Sequence, residues 1–322
     1  MRLKRRDLLP ATALAAGAGY ATMKPPAPPP LEIEGSPPSA VAAMKAESYD
    51  EELVRPMLDG IRACGLDVRG KRVLLKPNLV EFDSTTAINT DPRVVAAAYE
   101  AFRTLGAASV SIGEGPGHRR DVFDLARQAG YRSAIAGFDN LFTDLNRDDV
   151  SEVHGFADEG SLFLPNTVLH ADLIVSLAKM KTHHWAGATL TMKNLFGLVP
   201  GSVYGWPKNK LHYIGIARSI IELNRLVPKT FGIVDGIVGM EGNGPIQGKP
   251  KHCGVLVFGR DLRAVDATCC RIMGIRPEGV DYLRGSAALG RITESRIEQR
   301  AEALQKLTQP FELIDKFSGL RA

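Results

Sequence analysis

Arg72-Val73-Leu74-Leu75-Lys76-Pro77-Asn78 is a short apolar run that ends on a lysine, a proline and an asparagine. Proline cannot donate to a sheet ladder, so the strand stops there and its last polar groups lie at its carboxyl end. A helix follows: Thr90 or Asp91 can cap it, Pro92 suits its first position, and Gly106 ends it. Val94, Val95, Ala98, Phe102 and Leu105 fall on one helical face. Ser109 to Ile112 is the next strand, Gly113-Glu114-Gly115-Pro116-Gly117 its turn, and Asp121 opens a second helix that Gly130 closes.

The same alternation runs on. Asp172 to Leu177 reads as a buried strand leading into Lys179, Lys181, His183 and His184, and residues 211 to 226 as a helix stopped before Pro228. Phe231 to Val234 is a strand ending at Asp235-Gly236, Gly254 to Phe258 another, and Leu262 to Met273 a helix stopped by Gly274. Strands alternating with helices predict an α/β fold with a mostly parallel sheet covered by helices on both faces. Such sheets bind ligands at the carboxyl ends of their strands. Lys76, Asn78, Glu114, Lys179, Lys181, His183 and Asp235 all lie just past predicted strand ends, so convergence on one cavity is expected.

Composition bounds the rest. The 322 residues are 44% hydrophobic and 24% charged, which suits a globular protein and excludes a fibre or a disordered tail. The four cysteines, Cys64, Cys253, Cys269 and Cys270, form no C-x-x-C, which argues against zinc-finger and iron-sulfur modules and leaves any disulfide pairing open. Residues 1 to 21 combine a basic front, a short apolar stretch and small residues, the layout of an export signal, with Arg5-Arg6 suiting the twin-arginine machinery. Residues 22 to 40 are a proline-rich linker, and 41 to 322 the α/β domain. Removing that signal takes away four basic side chains and one acidic one, which deprives a nucleic-acid surface of its compositional support. No apolar run spans a bilayer, so a periplasmic or exported protein without a stable membrane anchor is expected.

Two stretches carry candidate chemistry. The first runs from Lys179 through Lys181, His183-His184-Trp185 and Lys193-Asn194 to Gly197. So many cations where a buried strand ends call for an anion, a carboxylate or a cofactor. Neighbouring residues point apart in regular backbone, so one of the two histidines is expected to share a site with Lys193. The second stretch, Asp235-Gly236 through Glu241-Gly242-Asn243-Gly244-Pro245 to Gly248, lets backbone N–H groups approach a phosphate or carboxylate, or forms a glycine-rich hairpin. It is neither a P-loop nor a dinucleotide fingerprint. No nucleophile elbow and no His-Glu-x-x-His occur.

With Lys76-Pro77-Asn78-Leu79, Thr191-Met192-Lys193-Asn194-Leu195-Phe196-Gly197 and the Asp235 to Gly248 stretch in this order, the chain resembles the domain-of-unknown-function 362 family over roughly residues 70 to 275. More distantly, His183-His184-Trp185-Ala186-Gly187 followed by Lys193 is similar to a stretch of lactate racemases that use a nickel-pincer nucleotide. That likeness implies a cofactor-linked lysine at Lys193, a proton-transferring histidine at His183, and His183 and His212 as metal candidates. The expectation is an exported enzyme that binds an anionic small molecule or cofactor through Lys76, Asn78, Lys179, Lys181, Lys193, Asn194, Glu241, Gly242 and Gly244. His183, Glu114 and Asp235 would move protons, with metal assistance a further option. The alternative is a non-catalytic periplasmic binding protein for an anionic solute.

Overall fold

A computed structural model describes residues 32–322. The signal segment 1 to 21 and the linker up to residue 31 lie outside the described residues. Among the described residues the chain forms eleven strands: β1 (Ser39–Lys45), β2 (Arg72–Pro77), β3 (Ser109–Glu114), β4 (Phe142–Asp144), β5 (Val150–His154), β6 (Ser161–Pro165), β7 (Leu173–His183), β8 (Gly187–Thr189), β9 (Thr230–Glu241), β10 (Lys249–Gly259) and β11 (Ile297–Ala301). Nine build one sheet in the order β11-β1-β10-β9-β7-β2-β3-β4, with β8 paired to β7 beside that path, while β5 and β6 form a separate hairpin. The pairs β2–β3, β2–β7, β3–β4, β7–β9 and β1–β11 are parallel; β9–β10, β1–β10 and β7–β8 are antiparallel.

The mostly parallel sheet is buried on both faces, as parallel sheets require. Alternate residues of β2 and β7 divide between two apolar cores. Val73, Leu75, Val175 and Leu177 pack with the helices Val54–Ala63 and Pro92–Thr104 on one face. Leu74 and Ile174 pack with Ile216–Leu226 and Leu262–Ile272 on the other. Local signals set the helix ends. The Asp91 carboxylate accepts from Arg93 N at 2.9 Å before Pro92–Thr104, and Asp261 accepts from Ala264 N before Leu262–Ile272. Gly106 and Gly274 then take positive φ, which an L side chain resists.

Two expectations needed adjustment. β7 and β9 do not end at Leu177 and Val234 but continue through buried polar residues to His183 and Glu241. The predicted helix over 211 to 226 is two, Asn209–Ile214 and Ile216–Leu226, broken at Gly215 with φ +100°. The disulfide question left open by the sequence is answered by four cysteines that are free and buried. Among the described residues no helix is long and apolar enough to cross a membrane.

Candidate functional site

From β2 the chain moves outward to β3 and β4, then returns to place β7 on the other flank of β2. The direction of winding therefore reverses at β2, and a crevice opens at the carboxyl ends of β2, β3 and β7. A cavity of about 420 Å³ occupies this place. The ends of all three strands line it through Lys76, Glu114, Lys181 and His183, and the hairpin between β9 and β10 closes one side with Asn243, Pro245, Ile246 and Gln247.

Lys76 and Glu114 form its floor. Both are buried, and Lys76 Nζ lies 2.7 Å from Glu114 Oε2. The ammonium also donates to Pro77 O and Asn194 Oδ1, while the carboxylate accepts from Leu79 N and Gly115 N. Asn194 completes the clamp by donating to Lys76 O and Ser176 Oγ. Gly197 is needed beside this pair because a Cβ would collide with the Glu114 carboxylate and the end of Lys76.

Three further ammonium groups have no such partner. Lys181 Nζ donates to the carbonyls of Ile88 and Pro245 at 2.8 and 3.3 Å. Lys208, in the left-handed region at φ +68°, donates to Gly115 O and Phe196 O at 2.6 and 3.1 Å. The Lys193 ammonium makes no hydrogen bond or ion pair among the described residues and lies 4.7 Å from the centre of the Phe196 ring. Lys193 is partly buried and lines the cavity. Burial, reinforced by Lys76, draws the Lys193 pKa down to about 8. Burial draws Lys208 down to about 7 against the pull of Glu114. Lys181 falls well below the ordinary lysine value through burial and then through the charges of Lys193 and Lys179.

The turn carrying Lys193 is held from beneath. Asp266, on the helix Leu262–Ile272, accepts from Thr191 N and Thr191 Oγ1 at 2.8 and 2.5 Å and from Met192 N at 3.1 Å. Side-chain–backbone bonds of this kind fix the direction in which a short turn projects its next residue.

The histidines differ in what their ring nitrogens can do. His183 Nδ1 accepts from Trp185 N and Ala186 N at 3.0 and 3.2 Å. The partners assign the proton of the neutral ring to Nε2, so this atom is a donor. Burial, then the positive charge of Lys193, pushes the His183 pKa far below the ordinary value. A proton-accepting role for His183 therefore lacks a lone pair. His184 Nδ1 lies 2.8 Å from Gly244 O and His212 Nδ1 3.3 Å from Lys208 O, which makes both Nδ1 atoms donors and leaves Nε2 lone pairs. Both His183 and His184 line the cavity, their rings stacked at 5.0 Å, because the backbone leaves the strand at His184 and turns into β8.

The family model for the domain of unknown function DUF362 matches residues 73–271. The chain belongs to the DUF362 family. Thylakoid-associated protein sll1697 of Synechocystis sp. is 28% identical over 270 residues, covering 78% of this chain and 79% of that protein. The solved lactate racemase apoprotein from Thermoanaerobacterium thermosaccharolyticum matches with a TM-score of 0.48 and 13% identity, over 76% of this chain and 58% of the racemase chain.

In this DUF362 chain the cavity gathers Lys76, Asn78, Glu114, Lys181, His183, Lys193, Asn194 and His212 of the residues singled out in the sequence. Lys179 and Asp235 lie elsewhere, in a buried ion pair of 2.7 Å that Tyr49 completes by donating to Asp235 Oδ1. Glu241 accepts from Glu312 N and faces Lys251, while Gly242 and Gly244 shape the hairpin turn, Gly244 packing against the Thr182 carbonyl. The glycine-rich stretch is thus a β9–β10 hairpin whose tip, rather than its glycines, borders the cavity. Lys208, Thr189 and Phe196 join the wall without having been singled out, and His184 joins it although only one of the two adjacent histidines was expected there. The Asn78 Oδ1 and Thr189 Oγ1 atoms are buried there without hydrogen-bond partners.

Of the two histidines singled out as metal candidates, His212 lines the cavity with a free Nε2 lone pair. Among the described residues no three His, Cys, Asp or Glu side chains converge as a metal site. His183 holds its Nε2 proton in place of the lone pair a metal needs.

Proposed function

We propose that this DUF362 chain is an exported enzyme whose cavity binds a small carboxylate- or phosphate-bearing molecule and moves a proton on it. One observation carries the reading: among the described residues Lys181, Lys193 and Lys208 surround one cavity without a carboxylate partner, since the one carboxylate these residues bring to the wall, Glu114, is paired with Lys76. Unpaired buried charge is costly, and an anion between these groups offsets that cost. The cavity volume suits a small metabolite. Lys193 and Lys208, with pKa values of about 8 and about 7, can give or take a proton near neutral pH. The Nε2 lone pairs of His184 and His212 offer additional acceptors. Export rests on Arg5-Arg6 and the apolar stretch behind them.

Calorimetric titration with oxalate and with phosphate tests the binding. Saturable heat that Lys181→Met weakens about 10-fold or more is expected, a loss of about 1.4 kcal/mol. No heat and no rise in melting temperature with either anion would remove the reading. Deuterium exchange at the carbon beside the carboxylate of a bound acid, followed by NMR, separates proton transfer from mere binding. Affinity without exchange across a panel of small acids would identify a binding protein instead. Export is checked by fractionating cells that express the full chain and its Arg5→Lys, Arg6→Lys double variant; only the former should reach the periplasm.

A further inference from the structure

Lys193 differs in kind from the other cavity lysines. Lys76 is clamped by a carboxylate, a carbonyl and an amide, and Lys181 and Lys208 each donate to two carbonyls. The Lys193 amine is left free on the cavity wall above the Phe196 ring. A lysine kept for structure would be tied, and one kept only for charge gains nothing from being surrounded by other cations. Burial beside like charges instead favours the neutral amine, the form with a lone pair that attacks carbon.

We propose that Lys193 is a nucleophile that condenses with the carbonyl group of a small oxo acid, whose carboxylate is held by Lys181 and Lys208. This deepens the anion-binding reading and rests on it. Nζ attacks the carbonyl carbon, and a carbon–nitrogen bond forms as the carbon–oxygen π bond opens. A proton passes from nitrogen to oxygen to give the carbinolamine. The carbon–oxygen bond then breaks, the hydroxyl takes the second amine proton, and water leaves an imine on Lys193. No oxidant or other reactant is consumed. The wall supplies a complementary group: His183 lines the cavity and its Nε2–H is a donor for the polarised carbonyl oxygen. An iminium on Lys193 would draw electrons from the neighbouring carbon and ease loss of a proton there, the chemistry expected of the cavity.

The full chain is incubated with pyruvate, 2-oxoglutarate or oxaloacetate and sodium cyanoborohydride, then analysed by intact mass and peptide mapping. One reduced adduct per chain, located on Lys193 and missing from Lys193→Arg and Lys193→Ala, is expected. Mapping the adduct in the natural chain keeps the test valid if either variant fails to fold. An adduct on other lysines, or one that survives both substitutions, overturns the proposal. Oxalate binding without any adduct overturns the nucleophile while leaving the anion site standing. Absence of both binding and adduct removes the site and the nucleophile together.

Discussion

Lys76 and Lys193 share one cavity, and removing charge at each has opposite consequences. Glu114→Gln leaves Lys76 buried with no counter-charge, and breaking a buried pair in this way costs about 3–5 kcal/mol. Urea unfolding should show that loss. Lys193→Met removes an ammonium that nothing neutralises, so stability should rise by about 0.5–2 kcal/mol while oxalate affinity falls. Acidity divides stability from binding in the same manner. The folded pKa of Lys193 is about 8 against an ordinary 10.5, so between these values the unfolded chain holds the extra proton and the penalty of burying the charge fades as pH rises. Anion binding runs the other way. A bound carboxylate favours charged Lys193 and Lys208 against the surrounding Lys76, Lys181, His183 and His212, so affinity is greatest below about pH 7 and falls as the two lysines discharge. Oxalate keeps its charge across this range; calorimetry should show about 10-fold weaker binding at pH 9 than at pH 7.

At the scale of single elements, β7 decides which cation enters the cavity. Lys179 pairs with Asp235 across the ladder, but the next registered pair is Lys181 with Met240, so β9 carries surplus residues between them. That bulge is fastened from inside: Lys179 Nζ donates to Val238 O at 2.9 Å and Val238 N donates to Tyr49 Oη at 3.0 Å. Bulges redirect the side chains next to them, and here Lys179 is bound to the bulge while Lys181 reaches the cavity. Asp235→Asn should therefore cost about 3–5 kcal/mol in urea unfolding through the uncovered Lys179, yet leave oxalate affinity within twofold. This distinction was not legible in the sequence. Both lysines follow the same apolar run at the same parity, and a bulge on the neighbouring strand leaves no mark near either of them. The gathering of Lys76, Glu114, Lys181 and His183 was legible, because each follows an apolar run in a βαβ pattern and such ends share one rim of the sheet. Lys208 was not, since it arrives on a loop far from any strand and only tertiary packing places its ammonium on Gly115 O.

Across the whole molecule, the segment hardest to read supports the sheet from its interior. Ser39-Ala40-Val41-Ala42-Ala43-Met44-Lys45 has one β-branched side chain and three alanines, a composition with weak strand preference, and it follows a proline-rich stretch. It becomes β1, inserted between β10 and β11, with Val41 opposite Gly259 on one side and Gln299 on the other. Neither β1 nor β11 falls within the residues 73–271 matched by the DUF362 model, yet both belong to the sheet that carries the cavity. Val41, Ala42 and Ala43 are buried, and the two faces of β1 feed the two apolar cores. Glu32 ties the preceding residues down by accepting from Ile292 N and Thr293 N at 2.6 and 2.7 Å. A chain beginning at residue 46 would bare the ladder edges of β10 and β11 and open both cores at one end. Calorimetry should then show no cooperative thermal transition, and oxalate binding should vanish although every cavity residue is retained. A truncated chain that melted within a few degrees of the original would mean that β10 can serve as an edge and that the cavity depends on β9, β7, β2 and β3 alone.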